Sequence, residues 1–544
     1  MHAQPSNRRA FLKSGAVAAA AVAVRPVGDP MTARQSPSRR PRPSADIEEM
    51  TVAEMQAAMA AGKLTAVNLA QKYLRRIRAI DRGTIDLRSI IEVNPDALSI
   101  ARELDKERRQ GKVRGPLHGI PVVIKDNIDT ADEMATTAGS LALVDSSPSA
   151  DATVAARLRE AGAVILAKTN LSEWANFRGF QSSSGWSARG GACRNPYVLD
   201  RNPCGSSSGS GAAISANLAA VSLGTETDGS IVCPSTANGI VGIKPTVGLT
   251  SRAGVVPISR TQDTIGPMAR TVADAAAVLG ALTGVDSRDP ATAASEGNSH
   301  TDYTTFLDPD GLNGARLGVA RQLFFQSPET SAILEQALTV LAGAGAELVD
   351  PVEFPSFEEF STASPEFDVL LLEFKTDMAL YLATRNGGPR TLADLIEFNE
   401  ANADVELKWF GQEIFELSEG RGGVDDPDYP TALANSLRIS RDEGLDAVFA
   451  SYGVDAIVAP TGSPAWPTDL VNGDHFLGGT SSYAAMAGYP LITVPMGTSF
   501  GLPVGLTFMG RQWDEPTLIR LASGFEAARG PRPVPQFLET LGRD

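Results

Sequence analysis

The chain has 544 residues, 43% of them hydrophobic and 21% charged, the make-up of a folded protein with enough apolar matter for a large core. Its formal net charge of −16 disfavours nucleic acid and anionic membrane surfaces as partners. The three cysteines, Cys193, Cys204 and Cys233, are too few for a disulfide framework and match no metal-ligand spacing. Small buried packing roles are expected of them, with oxidation of one pair after export left open.

Along the chain, Arg8-Arg9-Ala10-Phe11-Leu12-Lys13 precedes a weakly apolar run over 15–24 and resembles a twin-arginine export leader, too short to span a bilayer. Residues 27–45, rich in Pro, Arg and Ser, read as a linker. Residues 1–45 are therefore expected to be leader and linker, 46–540 one domain, and the protein exported to the periplasm or outside the cell. Thr51-Val52-Ala53-Glu54 is a capping box that opens a helix. Further helices are expected over 65–80 and 95–110. Short apolar runs and helices then alternate: strand 122–124, helix 153–161, strand 164–167, helix 209–220, strand 221–224. Later apolar runs at 456–459, 491–494 and 504–509 would extend the same sheet. The alternation predicts an α/β fold, a large mixed sheet covered by helices on both faces. Residues 300–445 are more acidic and helical in pattern, with helices expected over 333–342, 367–384 and 404–419, and read as an insertion on the common sheet.

The chemistry concentrates in three places. Pro121-Val122-Val123-Ile124-Lys125 is an apolar strand that ends in a lysine, and burial there would depress the lysine's pKa. Cys204-Gly205-Ser206-Ser207-Ser208-Gly209-Ser210 and Thr225-Glu226-Thr227-Asp228-Gly229-Ser230 are two small-residue clusters built around serines. Together they suggest a serine nucleophile served by a lysine. Of the four histidines, His2 lies in the leader and His300 in a polar run; His118 belongs to a turn and His475 to a polar loop, so a Ser-His-Asp arrangement is disfavoured. Lys168 and Lys244 are rival bases, one at a strand end and one fixed before a proline. Ser230 is the expected nucleophile, and the amides of Thr227, Asp228 and Gly229 could converge as an oxyanion-binding nest. Ser207 is the residue most easily confused with Ser206, and Ser208 or Ser210 could cap the helix that follows.

These segments, with Gly242-Ile243-Lys244-Pro245-Thr246, Asp263-Thr264-Ile265-Gly266-Pro267, Asp455-Ala456-Ile457-Val458-Ala459-Pro460-Thr461, Ala487-Gly488-Tyr489-Pro490 and Leu502-Pro503-Val504-Gly505, resemble the amidase signature family in family order over residues 46–530. The two serine clusters are most similar to those of bacterial peptide amidases, and this chain has Asp228 where most relatives of the family carry glycine. The resemblance implies the amidase signature fold, with a helical insertion (about 300–445) walling the cleft. It implies a Ser-Ser-Lys triad of Ser230, Ser206 and Lys125, with a cis peptide bond between Gly205 and Ser206, and hydrolysis of carboxylic amides through an acyl-enzyme. The expected partner is a small-molecule or peptide amide substrate; no metal, cofactor, nucleic acid or stable membrane insertion after leader removal is expected. Asp228 would accept a hydrogen bond from the substrate or attract a cation, or else point away and cap the next turn. Aryl or alkyl amides remain alternative substrates, and the glutaminase subunit of a tRNA-dependent amidotransferase, a non-catalytic binding protein and a membrane-associated lipid amide hydrolase remain alternative readings.

Overall fold

The computed structural model describes residues 47–324, 328–362 and 365–542. The expected leader and linker lie outside the described residues. Eleven strands form one mixed sheet: β1 (Ile90–Val93), β2 (Pro121–Lys125), β3 (Val164–Thr169), β4 (Val221–Glu226), β5 (Val241–Lys244), β6 (Thr264–Ala269), β7 (Arg316–Val319), β8 (Glu347–Val349), β9 (Ala456–Pro460), β10 (Leu491–Ser499) and β11 (Leu502–Met509), in the spatial order β1-β3-β2-β4-β6-β5-β10-β11-β9-β7-β8. The central strands are short apolar runs buried along their whole length, because helices cover both faces and no alternation of polar residues is needed.

Strands β3, β2 and β4 run parallel, and β4 then meets β6 antiparallel. The β2–β4 register pairs Ile124 with Leu223, so the strand ends carrying Lys125 and Thr225 lie side by side. Parallel strands leave a crevice beyond their carboxyl ends, and that is where the two serine clusters collect.

The helices α1 (Val52–Ala60), α2 (Ala66–Arg76), α3 (Ala97–Arg109) and α4 (Thr153–Glu160) form where expected, α1 behind the capping box of Thr51 and Glu54. Helix α5 is shorter than the expected 209–220. It spans Ser208–Ser215, because Arg76 takes up the carbonyls of Ala216 and Asn217, and Asn217 turns into the left-handed region at φ 56°. Neither Ser208 nor Ser210 caps it. Ser208 Oγ donates to Cys204 O and Ser210 Oγ to Leu223 O, tying α5 to the loop before it and to β4.

Within 300–445, two segments join the sheet as β7 and β8, with a helix over Pro328–Gly343 between them where 333–342 is expected, and a further helical part follows. Its helices α6 (Pro365–Ala383), α7 (Leu392–Ala401) and α8 (Glu413–Glu419) bury Leu371, Phe374, Leu395 and Phe415 against Leu143, Trp174 and Phe177 in a second apolar cluster. The helix expected over 404–419 is only its last part: residues 402–407 form turns, and α8 starts at Glu413. The carboxylate of Glu406, fully buried, is drawn to Leu141 N, Ser140 Oγ and Arg178, a tertiary pull that local helix propensity does not register. No described helix is long and apolar enough to cross a membrane.

Candidate active site

Lys125 closes β2 with its side chain fully buried. Its Nζ donates to Ser206 Oγ at 2.7 Å, to Thr225 Oγ1 at 2.8 Å and to Thr225 O at 3.3 Å. Burial strips the ammonium of water and pulls its pKa from 10.5 to about 7, against the more distant attraction of Asp263 and Glu226. Among the described residues no carboxylate pairs with it. Asp126, next in sequence, faces away and accepts from Thr137 and Gly139 beside Arg189. Asp129 is held by Arg385 at 3.0 Å and by the Tyr381 hydroxyl at 2.9 Å.

The rival lysines are buried too, but neither touches a serine. Lys168 Nζ donates to Ile128 O and Thr136 Oγ1, and Lys244 Nζ to Tyr489 O at 2.7 Å. Burial lowers both pKa values, that of Lys244 to about 8. Depressed basicity therefore does not single out Lys125; its contact with a serine hydroxyl does.

The loop before α5 brings Ser206 to the lysine through a cis Gly205–Ser206 peptide bond. A Cβ on Gly205 would lie 2.1 Å from Ser172 Oγ, so only glycine fits there. Ser206 and Ser207 differ in their contacts. Ser207 Oγ donates to Thr225 O at 3.1 Å and accepts from Thr225 N at 3.2 Å, which binds it to β4. Its own N–H donates to Ser230 O at 3.1 Å, joining the two serine loops.

Ser230 follows the turn after β4 and precedes the helical segment Val232–Ala237. It is 8% exposed, whereas Ser206, Ser207, Ser208 and Ser210 are all at 0%. Ser230 is thus the serine of the two clusters that opens to solvent. Glu226 shapes the turn: its Oε2 accepts from the N–H groups of Ile231 at 2.7 Å and Val232 at 3.0 Å. Gly229 sits at φ 77°, and a Cβ there would approach Ser481 Oγ to 3.0 Å. The N–H groups of Asp228, Gly229 and Ser230 make no hydrogen bond to another described residue, as donors kept for a ligand would.

The side chains of the turn point to different partners. Thr227 Oγ1 donates to Asp263 Oδ1 at 2.5 Å, while Asp263 Oδ2 accepts from Ile258 N and Ser259 N. Burial raises the pKa of Asp263 to about 6. The half-buried Asp228 accepts from Ser481 Oγ at 2.5 Å and Ser482 Oγ at 2.6 Å, one hydroxyl on each oxygen, and does not cap the turn that follows it.

Sequence reasoning gave no role to Thr225, Asn127, Ser481 or Ser482. Asn127 Nδ2 donates to Thr225 Oγ1 at 3.0 Å, so Thr225 links the lysine to a second polar side chain. The spacing of Thr225 in its cluster could have signalled the contact, since it ends the strand beside Lys125. Nothing local marks Ser481 or Ser482. A cavity of about 280 Å³ lined by Asn127, Thr225, Thr227, Asp263 and Tyr381 reaches this network without including either Ser206 or Ser230.

The expectation that the cysteines are simple packing residues is corrected for two of them. Cys204 and Cys233 form a disulfide, with Cα atoms 5.9 Å apart, and Cys193 is free and buried. One sulfur lies in the loop before α5 and the other on the helical segment after Ser230; the fold brings them together although 29 residues separate them.

The mixed eleven-stranded sheet thus carries a buried lysine and two serine loops at its strand ends. The profile of the family described as Amidase matches residues 68–519, and the chain belongs to that family. It is 44% identical over 500 residues to a chain named probable amidase in Arabidopsis thaliana, covering 90% of this chain and 92% of that one. Against the crystal structure of the peptide amidase PAM in complex with the competitive inhibitor chymostatin, the TM-score is 0.87 at 53% identity, covering 90% of this chain and 99% of that one. It is also 36% identical to a glutamyl-tRNA(Gln) amidotransferase subunit of Chloroflexus aurantiacus, over 88% of this chain and 97% of that one. The protein is an amidase, a hydrolase of the amidase signature family.

Proposed function

We propose that Ser230 is the nucleophile of a Ser-Ser-Lys triad and that the substrates are C-terminal amides of peptides. The observation that carries the triad is the 2.7 Å contact between a carboxylate-free Lys125 Nζ and Ser206 Oγ. Neutral Lys125 takes the proton of Ser206, Ser206 takes that of Ser230, and Ser230 Oγ attacks the amide carbonyl. The amides of the 227–230 turn receive the oxyanion. Ammonia leaves with a proton returned along the relay, and water then hydrolyses the acyl-enzyme by the same route.

The preference for peptide amides rests on similarity to PAM and on Asp228. Ser481 and Ser482 orient its carboxylate beside the nucleophile and leave lone pairs on both oxygens for a substrate N–H. Incubation of residues 46–544 with amidated dipeptides, simple alkyl and aryl amides and glutamine, with ammonia as readout, tests the reading. Ammonia from the dipeptide amides supports it; release only from simple amides or glutamine moves the substrate to those classes. For Asp228→Asn, kcat/KM on amidated dipeptides is expected to fall about 10- to 100-fold, the loss of one charged hydrogen bond, with much less change on simple amides. An unchanged ratio between the two substrate types would remove Asp228 from specificity.

Activity should also depend on pH with a definite sign. Only neutral Lys125 can accept a proton, so kcat/KM is expected to rise through an apparent pKa of about 7 and level off above it. A profile flat from pH 5 to 9 would rule out Lys125 as the base.

We further propose export in folded form by the twin-arginine-type leader. The disulfide beside the active site supports this, since such bonds persist in oxidising compartments. Export also argues against the tRNA-dependent amidotransferase reading, because charging of tRNA is cytoplasmic.

A further inference from the structure

The two serines reach the site from separate parts of the chain, and a small set of hydrogen bonds and one disulfide hold them in register. The hydrogen-bonded link between their segments consists of Ser207 N to Ser230 O, Ser207 Oγ with the backbone of Thr225, and Asn238 Nδ2 to Pro203 O. The Cys204–Cys233 disulfide is a second link, placed two residues before Ser206 and three after Ser230. Both of its ends stand on anchored backbone. Cys204 N donates to Asn202 Oδ1 at 2.7 Å, and Cys204 O accepts from Ser208 Oγ at 2.6 Å. Cys233 N donates to Gly229 O at 2.8 Å, within the turn that presents Ser230. The bond packs against Tyr197, Trp466 and Leu502 in a small cluster apart from the main core. Cys204 is 4% exposed, while Cys233 is half-buried. Cys193, fully buried with its thiol pKa raised by burial, is a poor partner for exchange.

We propose that this disulfide is a positioning element of the catalytic centre, setting the separation of Ser206 and Ser230, and that its reduction slows acylation while the fold persists. The proposal rests on Ser230 being the nucleophile. Because a displacement of about 1 Å between reacting groups can cost about 100-fold in rate, loss of the covalent tie is expected to lower kcat by about 10- to 100-fold with KM nearly unchanged.

The test is reduction of the native, folded enzyme with a water-soluble phosphine, with the Cys204→Ser/Cys233→Ser double variant alongside. The phosphine is oxidised to its oxide with oxygen from water, and the S–S bond becomes two S–H groups, counted by alkylation and mass. Labelling of Ser230 by a fluorophosphonate probe, kcat and KM on an amide substrate, and circular dichroism are read on oxidised, reduced and reoxidised protein. Slower labelling and lower kcat with unchanged KM and spectrum, restored on reoxidation, are the expected result. Equal labelling and kcat in the oxidised and reduced forms would overturn the positioning role alone. Loss of activity only together with the native spectrum would also overturn it, reducing the bond to a fold staple. An oxidised enzyme whose Ser230 is never labelled would overturn the nucleophile assignment and this proposal with it.

Discussion

Ser230→Ala is expected to abolish amide hydrolysis, with kcat reduced by about 10⁴-fold or more and the folded state unchanged. The variant removes the atom proposed to form the acyl-enzyme, and the neighbouring hydroxyls are already committed: Ser206 is engaged by Lys125, and Ser207 is bound on both sides to Thr225. The deleted group is one oxygen on a residue 8% exposed, so stability should change by less than about 1 kcal/mol. The checks are ammonia release from an amidated dipeptide and the thermal transition of the two proteins. Substantial ammonia release by a pure variant would end the nucleophile assignment.

Lys125→Met is the second large effect, and it should separate activity from stability in opposite directions. Without the base, kcat/KM is expected to drop by about 10²- to 10⁴-fold and to lose its rise through pH 7. Stability should increase. A lysine with an ordinary pKa of 10.5 that is held at about 7 in the fold is destabilising by about 4 kcal/mol at pH 7, because the unfolded chain binds the proton that the folded chain resists. That penalty is full below pH 7 and fades as pH rises from 7 to 10.5. Methionine fills a similar volume without charge but forfeits the contacts to Ser206 and Thr225, each worth about 1 kcal/mol. A net gain of about 1–3 kcal/mol is therefore expected at neutral pH, shrinking toward pH 10, measured by denaturant midpoints across pH. A less stable variant at pH 7 would mean that Lys125 is not held neutral by the fold.

The features legible from the residues alone are local. The β-branched run before Lys125, the capping box at Thr51 and the glycines around Ser206 and Ser230 act on dihedrals and neighbours within a turn or two, so strands, helix starts and tight loops could be read directly. The order of the motifs pointed to the family and the sheet. Folding settled the rest, because burial and pairing depend on where the chain returns. Among the described residues three lysines lie fully buried, and the parallel β2–β4 register puts one of them against a serine hydroxyl. Ser206 and Ser207 are indistinguishable by composition; they part because one faces Lys125 and the other the backbone of β4. Asp228 finds Ser481 across 253 positions, and the disulfide between the serine loops joins segments that the sheet sets side by side. The expected helix over 404–419 failed for the same reason, since buried carboxylate contacts of Glu406 outweighed propensity that is worth only tenths of a kcal/mol per residue, roughly. Local sequence sets which conformations are cheap, and long-range burial chooses among them.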